Sequence, residues 1–241
     1  MGDITGHVIA RAPGADSMLV RCRSFDDLSP ALVQDNAIFR CDLDGNPLEE
    51  LGDYALPPER FIGAEVFRAR DDVNAVVHGH PPAQIMCGIT GVEIRPILGC
   101  ANIGGMFLAV DGVPVFPRSV LIATPSLGRQ VVETMAARNV ALLKGHGNVV
   151  AGSTIEEATV RAIQIENLAS VCWDVAAGGK HADDVSAEDL RDFQDLGKFL
   201  EPSQAGATEA GAIQVSTWMW NHYERALREN LSLNVEMGRA H

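Results

Sequence analysis

The stretch Asn74-Ala75-Val76-Val77-His78-Gly79-His80-Pro81 is an apolar, β-branched run that ends in two histidines two residues apart. Strand side chains alternate between faces, so the spacing predicts His78 and His80 on one face at a strand end. Two neutral imidazoles that converge on one point make half of a transition-metal site. A second apolar run, Leu142-Leu143-Lys144-Gly145-His146-Gly147, breaks at glycine and offers a third imidazole. A lone histidine at such a place is best explained as a strand-end residue with ordinary hydrogen bonds. A His-x-His pair joined by a second glycine-flanked histidine favours metal binding.

Working outward from these runs, the pattern alternates short strands with helices. Strands are expected within Gly2–Arg11, over Met18–Cys22 and over Ala37–Asp42, the last closed by the turn Asp44-Gly45-Asn46-Pro47. Pro57-Pro58-Glu59 opens a helix running to about Arg70, because proline and an acidic residue both suit a first turn. Pro81-Pro82 opens another, with Gly88 and Gly91 as its stop signals. Asp111-Gly112, set between two apolar runs, predicts a hairpin. Ser126 is expected to cap a helix to about Arg138, before a buried strand over Val140–Leu143 and extended chain over Asn148–Ala151. The overlapping capping boxes in Ser153-Thr154-Ile155-Glu156-Glu157 start a long helix to about Ala176. Helices near Ala187–Leu200 and Glu209–Leu231 follow. This order predicts an α/β fold: one domain over residues 1–241, three layers α/β/α, a mixed sheet and a helical C-terminal segment.

The composition limits the function. At 241 residues, 46% hydrophobic and 21% charged, the chain has the make-up of a globular enzyme. A net charge of −13 opposes a nucleic-acid partner, which needs clustered Lys and Arg. An anionic substrate would have to be drawn by the metal and by particular arginines. Five scattered cysteines, with no C-x-x-C pair, read as reduced thiols. Neither a signal peptide nor a membrane-length apolar stretch is visible, so a cytoplasmic location without membrane contact is expected.

Glu59, 19 positions before His78, could be a fourth ligand, a general acid/base beside the metal, or simply an acid suited to a helix N-terminus. Three histidines with an open coordination position are the mark of a catalytic site, at which an enolate or equivalent carbanion can be stabilised. A cupin-like barrel also uses His-x-His. It needs a ligand carboxylate a few residues later, where this chain has Pro81, Pro82 and Gln84.

Pro58-Glu59, the run Arg70-Asp71-Asp72-Val73 through Pro81, and the run Lys144-Gly145-His146-Gly147-Asn148-Val149-Val150-Ala151-Gly152 through Ala158 together resemble the class II aldolase/adducin family in order and spacing. The resemblance runs from about Thr5 to Ala176. It implies a nine-stranded mixed, largely antiparallel sheet flanked by helices, and a homotetramer with active sites at subunit interfaces. It further implies one divalent metal ion per subunit on His78, His80 and His146, Mn2+ or Zn2+ foremost, with Co2+, Fe2+ and Mg2+ also suited, and a catalytic carboxylate at Glu59. Members commonly carry a helix before the first strand; this chain reaches its first strand sooner, which leaves a different start or a trimmed terminus open.

Departures from the family pattern bear on substrate. The sugar-phosphate aldolases hold phosphate with a Gly-Asn-x-Ser segment near the first strand and with serines just before the catalytic acid. Here those places read Thr5-Gly6-His7-Val8 and Pro57-Pro58. Neither proline has a hydroxyl or an amide hydrogen to give a phosphate oxygen. The aldolases' proton-donating tyrosine also has no match in Ile97–Gly105, the only tyrosines being Tyr54 and Tyr223. The Thr-Gly-His-Val segment is more similar to the branch of metal-dependent decarboxylases of hydroxylated aromatic or pyridine carboxylates. On that resemblance the substrate is a small anionic hydroxyaromatic acid, Glu59 donates the proton, and His7 is a second donor or a carboxylate-binding group. Arg60, Arg11 and Arg118 are candidates for a second substrate carboxylate, though each taken alone is better explained as a surface or sheet-edge residue. Tyr223, with His222, could close a neighbouring subunit's site, while Trp218 and Trp220 are expected to pack. Two other functions stay open: an aldolase or epimerase acting on an unphosphorylated hydroxy-carbonyl compound, and a non-catalytic adducin-like binding domain.

Overall fold

The computed structural model describes residues 6–14, 16–24, 37–199 and 209–228. Its centre is a seven-stranded sheet in the order β3-β2-β1-β4-β7-β6-β5. The strands are β1 (His7–Arg11), β2 (Ser17–Arg21), β3 (Ile38–Asp42), β4 (Ala75–Gly79), β5 (Val115–Phe116), β6 (Val140–Leu143) and β7 (Gly147–Gly152). Every pairing is antiparallel except β5 with β6. The helices are α1 (Phe61–Ala69), α2 (Pro82–Thr90), α3 (Ile103–Ala109), α4 (Pro125–Met135), α5 (Ile155–Ala177), α6 (Ala187–Phe199) and α7 (Glu209–Arg228). The mixed three-layer α/β/α arrangement expected from the sequence is therefore present. The implied nine strands are seven among the described residues.

Central strands are buried on both faces, which explains why their sequences are unbroken apolar runs. Along β6, Val140 and Leu142 join one core cluster while Ala141 and Leu143 join the other. Val149 and Ala151 of β7 alternate with Val150 in the same way. One cluster packs beneath Ile62, Val66 and Phe67 of α1 and Val131 and Met135 of α4. The other packs beneath Cys87 of α2 and Ile165, Leu168 and Cys172 of α5. Each such side chain contributes about 1.5–3 kcal/mol of transfer free energy. Gln164 Nε2 of α5 meets Met219 Sδ of α7 at 3.4 Å, so the C-terminal helix lies against the α5 layer.

Two local expectations change. The Asp111-Gly112 hairpin does not form, because Met106 and Ala109, three apart and buried, belong to the inner face of α3. Asn102 caps that helix by accepting from Gly105 N–H. Gly112, at φ 77°, then turns the chain into β5, which runs parallel to β6. The cap of α4 is Thr124, accepting from Leu127 N–H, with Pro125 in the first turn, and Ser126 is already inside. Among the described residues no helix is long and apolar enough to cross a membrane.

Candidate metal centre and active site

Three backbone features gather the histidines at one end of the sheet. β4 pairs with β1 so that His78 lies opposite His7, and with β7 so that Gly79 lies opposite Asn148. His78 shares its face with Val76, the face that packs under α1 and α4. His146 sits in the turn from β6 to β7, where Gly145 takes φ 62°. Gly147 permits close approach: a Cβ there would collide with the Gly79 carbonyl and stand 2.8 Å from His80 Cδ2. Just ahead of α1, Pro58–Arg60 forms one 3-10 turn that points Glu59 into the same space, 6% exposed.

The geometry is compact. His78 Nε2 and His80 Nε2 are 3.2 Å apart. Glu59 Oε2 is 3.4 Å from His78 Nε2, and Glu59 Oε1 is 3.4 Å from His146 Nε2. One ligand atom from each of Glu59, His78, His80 and His146 can be chosen so that all lie within 4.8 Å of one another. His7 stands beside this group, its ring centroid 5.2 Å from that of His78, and it is buried.

Hydrogen bonds decide the protonation pattern. His78 Nδ1 is 2.7 Å from the Asn148 carbonyl, which can only accept, so Nδ1 carries the proton and Nε2 turns its lone pair inward. That lone pair meets another imidazole nitrogen and a carboxylate oxygen. Without a positive charge among them, these groups would repel. A separation of 3.2 Å also suits two nitrogens each about 2.0–2.1 Å from a common ion. The donor set therefore fits a divalent cation.

Glu59 is held by Ile122 N–H, which donates to Oε1 at 2.9 Å. Burial alone would raise its pKa, but the Ile122 amide and positive charge among the facing imidazoles, whether protons on His146 and His78 or a cation held by them, bring it well below the usual carboxylate range. It is thus a carboxylate at rest, fixed in orientation and poised beside the imidazoles.

The candidate substrate residues divide. Arg60 adjoins Glu59 but turns away: its Nε donates to the Gly45 carbonyl at 2.8 Å and Nη1 to the Pro57 carbonyl at 3.2 Å, with its guanidinium over Phe61. It braces the loop that carries Glu59. Arg11, at the other end of β1 from His7, donates to the carbonyls of Phe67, Arg70 and Val73. These bonds tie β1 to the end of α1 and the start of β4, away from the His7 end of the strand. Arg118 stays on the site's side of the molecule, one residue from Ser119, whose hydroxyl donates to the Lys144 carbonyl. Its guanidinium meets Gln130 at 3.3 Å and is exposed. Tyr223 packs edge-on against His222, with ring centroids 5.5 Å apart. Trp218 is 55% exposed, against the expectation that it packs.

Sequence reasoning passed over the polar residues behind the imidazoles. Gly79 N–H donates to Asn148 Oδ1 at 3.0 Å, and Asn148 Nδ2 donates to Gln84 Oε1 at 3.0 Å. Gln84 Nε2 then donates to Glu166 Oε2 at 3.2 Å. The available signal was a lone polar residue in each of two apolar segments, Asn148 in β7 and Gln84 in α2.

The model of the Class II Aldolase and Adducin N-terminal domain matches residues 2–173. Over 216 residues the chain is 37% identical to a 3,4-dihydroxyphthalate decarboxylase of Arthrobacter keyseri, covering 88% of this chain and 87% of that one. It is 36% identical over 200 residues to a protein of the same name from Rhodococcus jostii, covering 82% of each. Among solved structures, an aldolase II superfamily protein from Pseudomonas syringae aligns with a TM-score of 0.72 at 18% identity, over 94% of this chain and 84% of that one. An L-fuculose 1-phosphate aldolase aligns with a TM-score of 0.63 at 18% identity, over 80% and 86% respectively. The last two likenesses concern the fold alone. With a sheet bearing three imidazoles and a carboxylate at one end, and a family model spanning most of its length, the chain belongs to the class II aldolase and adducin family.

Proposed function

We propose that this protein is a divalent-metal-dependent carbon–carbon lyase that decarboxylates a hydroxylated aromatic dicarboxylate of the 3,4-dihydroxyphthalate class. The observation that carries the proposal is the convergence of His78, His80, His146 and Glu59. The decarboxylase names of relatives that align over most of the chain support it. The two prolines before Glu59 also offer no donor to a phosphate.

His78, His80 and His146 would hold the cation, which when bound supplies Lewis-acid polarisation of the substrate's oxygens. The remaining steps fall to the side chains around it. Glu59, ionised at rest, accepts the proton of the ring hydroxyl beside the departing carboxylate. It then delivers that proton to the ring carbon bearing the carboxylate. The carbon–carbon bond breaks, its electron pair returns to the ring, and CO2 leaves. A solvent proton restores the hydroxyl, so the balance is ArCO2− plus H+ giving ArH plus CO2. Buried beside His78, His7 orients the departing carboxylate. Arg118 is the candidate for the second carboxylate, since its guanidinium remains exposed.

Mn2+ and Zn2+ are the proposed ions, with Co2+, Fe2+ and Mg2+ as substitutes. We assign residues 1–241 to one domain acting in the cytoplasm, without nucleic acid or membrane. The subunits are proposed to form a homotetramer with active sites at their interfaces, closed in part by Tyr223. An exposed apolar stripe on and after α3, Ile103, Phe107 and Val110, supports burial of that face against another copy.

The test supplies dihydroxyphthalates, hydroxybenzoates and hydroxy-oxo acids to the metal-loaded protein and follows CO2 and carbonyl products. CO2 released from the dihydroxyphthalates is the expected result. Aldehyde or pyruvate formed without CO2 would establish aldol cleavage instead.

A further inference from the structure

A directional chain of hydrogen bonds runs from the backbone between the two β4 histidines to a carboxylate on α5. Gly79 N–H can only donate, so the Asn148 atom facing it is Oδ1 and the amide nitrogen faces the other way. Asn148 Nδ2 therefore donates to Gln84 Oε1, which leaves Gln84 Nε2 to donate to Glu166 Oε2. Glu166 also receives Ala83 N–H on Oε1 at 3.0 Å and Gln84 N–H on Oε2 at 3.2 Å. Those three donors fix the carboxylate across the first turn of α2, the helix that starts two residues after His80. Gln84 is fully buried and Asn148 is 2% exposed, so neither amide can turn to water. Asn148 acts twice, since its main-chain carbonyl also receives His78 Nδ1 at 2.7 Å. One residue thus fixes the tautomer of His78 and the peptide linking His78 to His80.

We propose that Asn148, Gln84 and Glu166 are positioning residues that set the separation of the His78 and His80 nitrogens and so govern the affinity for the divalent ion. The proposal rests on the metal reading of the site given above. In this chain Gln84 must be neutral and two-faced, accepting on one side and donating on the other. A carboxylate at that position could take the Asn148 donor but would face Glu166 as a second anion. The pair would move apart and tilt the first turn of α2 away from His80.

The measurement is chelator competition for Mn2+ and Zn2+ alone, on folded protein, with thermal melting in parallel. Gln84→Glu is expected to bind each ion about ten- to a hundredfold more weakly. At saturating metal its kcat should return to within a few-fold of the parent, a split that general loss of structure would not produce. The double variant Gln84→Glu/Glu166→Gln restores one donor between the two positions and should recover most of the affinity. Should Gln84→Glu fail to fold, Asn148→Ser removes both side-chain bonds, keeps the main-chain acceptor for His78 and should weaken binding similarly. Affinity within twofold of the parent in the folded variants would overturn the proposal, as would a double variant no better than Gln84→Glu. A His78→Ala/His80→Ala control separates the two readings. If it binds metal like the parent, the metal site itself is misassigned. If it loses metal while Gln84→Glu and Asn148→Ser do not, only the positioning proposal falls.

Discussion

The two ends of the sheet are both lined with polar side chains, yet they are built on opposite logic. At the end bearing His7, His78, His80, His146 and Glu59, inward-facing nitrogens and carboxylate oxygens stand 3.2–3.4 Å apart and need an added positive charge. At the far end, arginines bring their own charge and use it on the fold. Arg11 donates to three carbonyls, and Arg70 binds Asp72, Asn139 and the Arg138 carbonyl. Arg161 pairs with Glu157 and donates to the Ala151 carbonyl. A polar cluster that satisfies itself holds the layers together, whereas one that cannot is prepared for something else.

Breaking the comparison at its acceptor-rich end should give the largest effect. His78→Ala/His80→Ala removes two nitrogens and should abolish both metal binding and turnover, checked by elemental analysis and CO2 release. Glu59→Gln should keep the metal and lose about a hundred- to ten-thousandfold in kcat, because the carboxylate moves the proton. Full activity in that variant would remove the acid/base role. Arg11→Met, at the far end, should lower stability by about 2–4 kcal/mol in denaturant melts while metal affinity stays unchanged. A change in metal affinity there would break the division between the ends. Arg118→Ala should chiefly raise KM, by about tenfold, with little change in kcat or melting temperature. Smallest of all, thiol alkylation of the folded protein should label exposed Cys100 well ahead of the others. Burial pushes the Cys22 and Cys41 thiols up to about 11 and Cys87 up to about 12, so little thiolate is present at neutral pH.

The acceptor-rich end was legible in the sequence because period-two alternation and glycine-flanked breaks dictate where His78, His80 and His146 point. Burial of the sheet on both faces was likewise legible in the continuous apolar runs of β6 and β7. The hairpin expected at Asp111-Gly112 failed because an apolar run of this length fits a buried helix as well as a strand, and the Asn102 cap decided for the helix. The structural partners of Arg60 and Arg11 were hidden for a related reason. Sequence shows that a guanidinium is present, but its nearest acceptors here are carbonyls 15 and 56–62 residues away in the chain. The Asn148–Gln84–Glu166 chain escaped for the same cause, since it joins β7, α2 and α5, which come together only after folding.

The most direct measurement is CO2 release from a 3,4-dihydroxyphthalate-class acid by chelated protein, before and after Mn2+ or Zn2+ is restored. Stoichiometric CO2 and decarboxylated ring product should appear only after the metal is returned, and not in His78→Ala/His80→Ala. Undiminished CO2 release from the fully chelated protein, or carbon–carbon cleavage that yields a carbonyl compound without CO2, would contradict a metal-dependent decarboxylase.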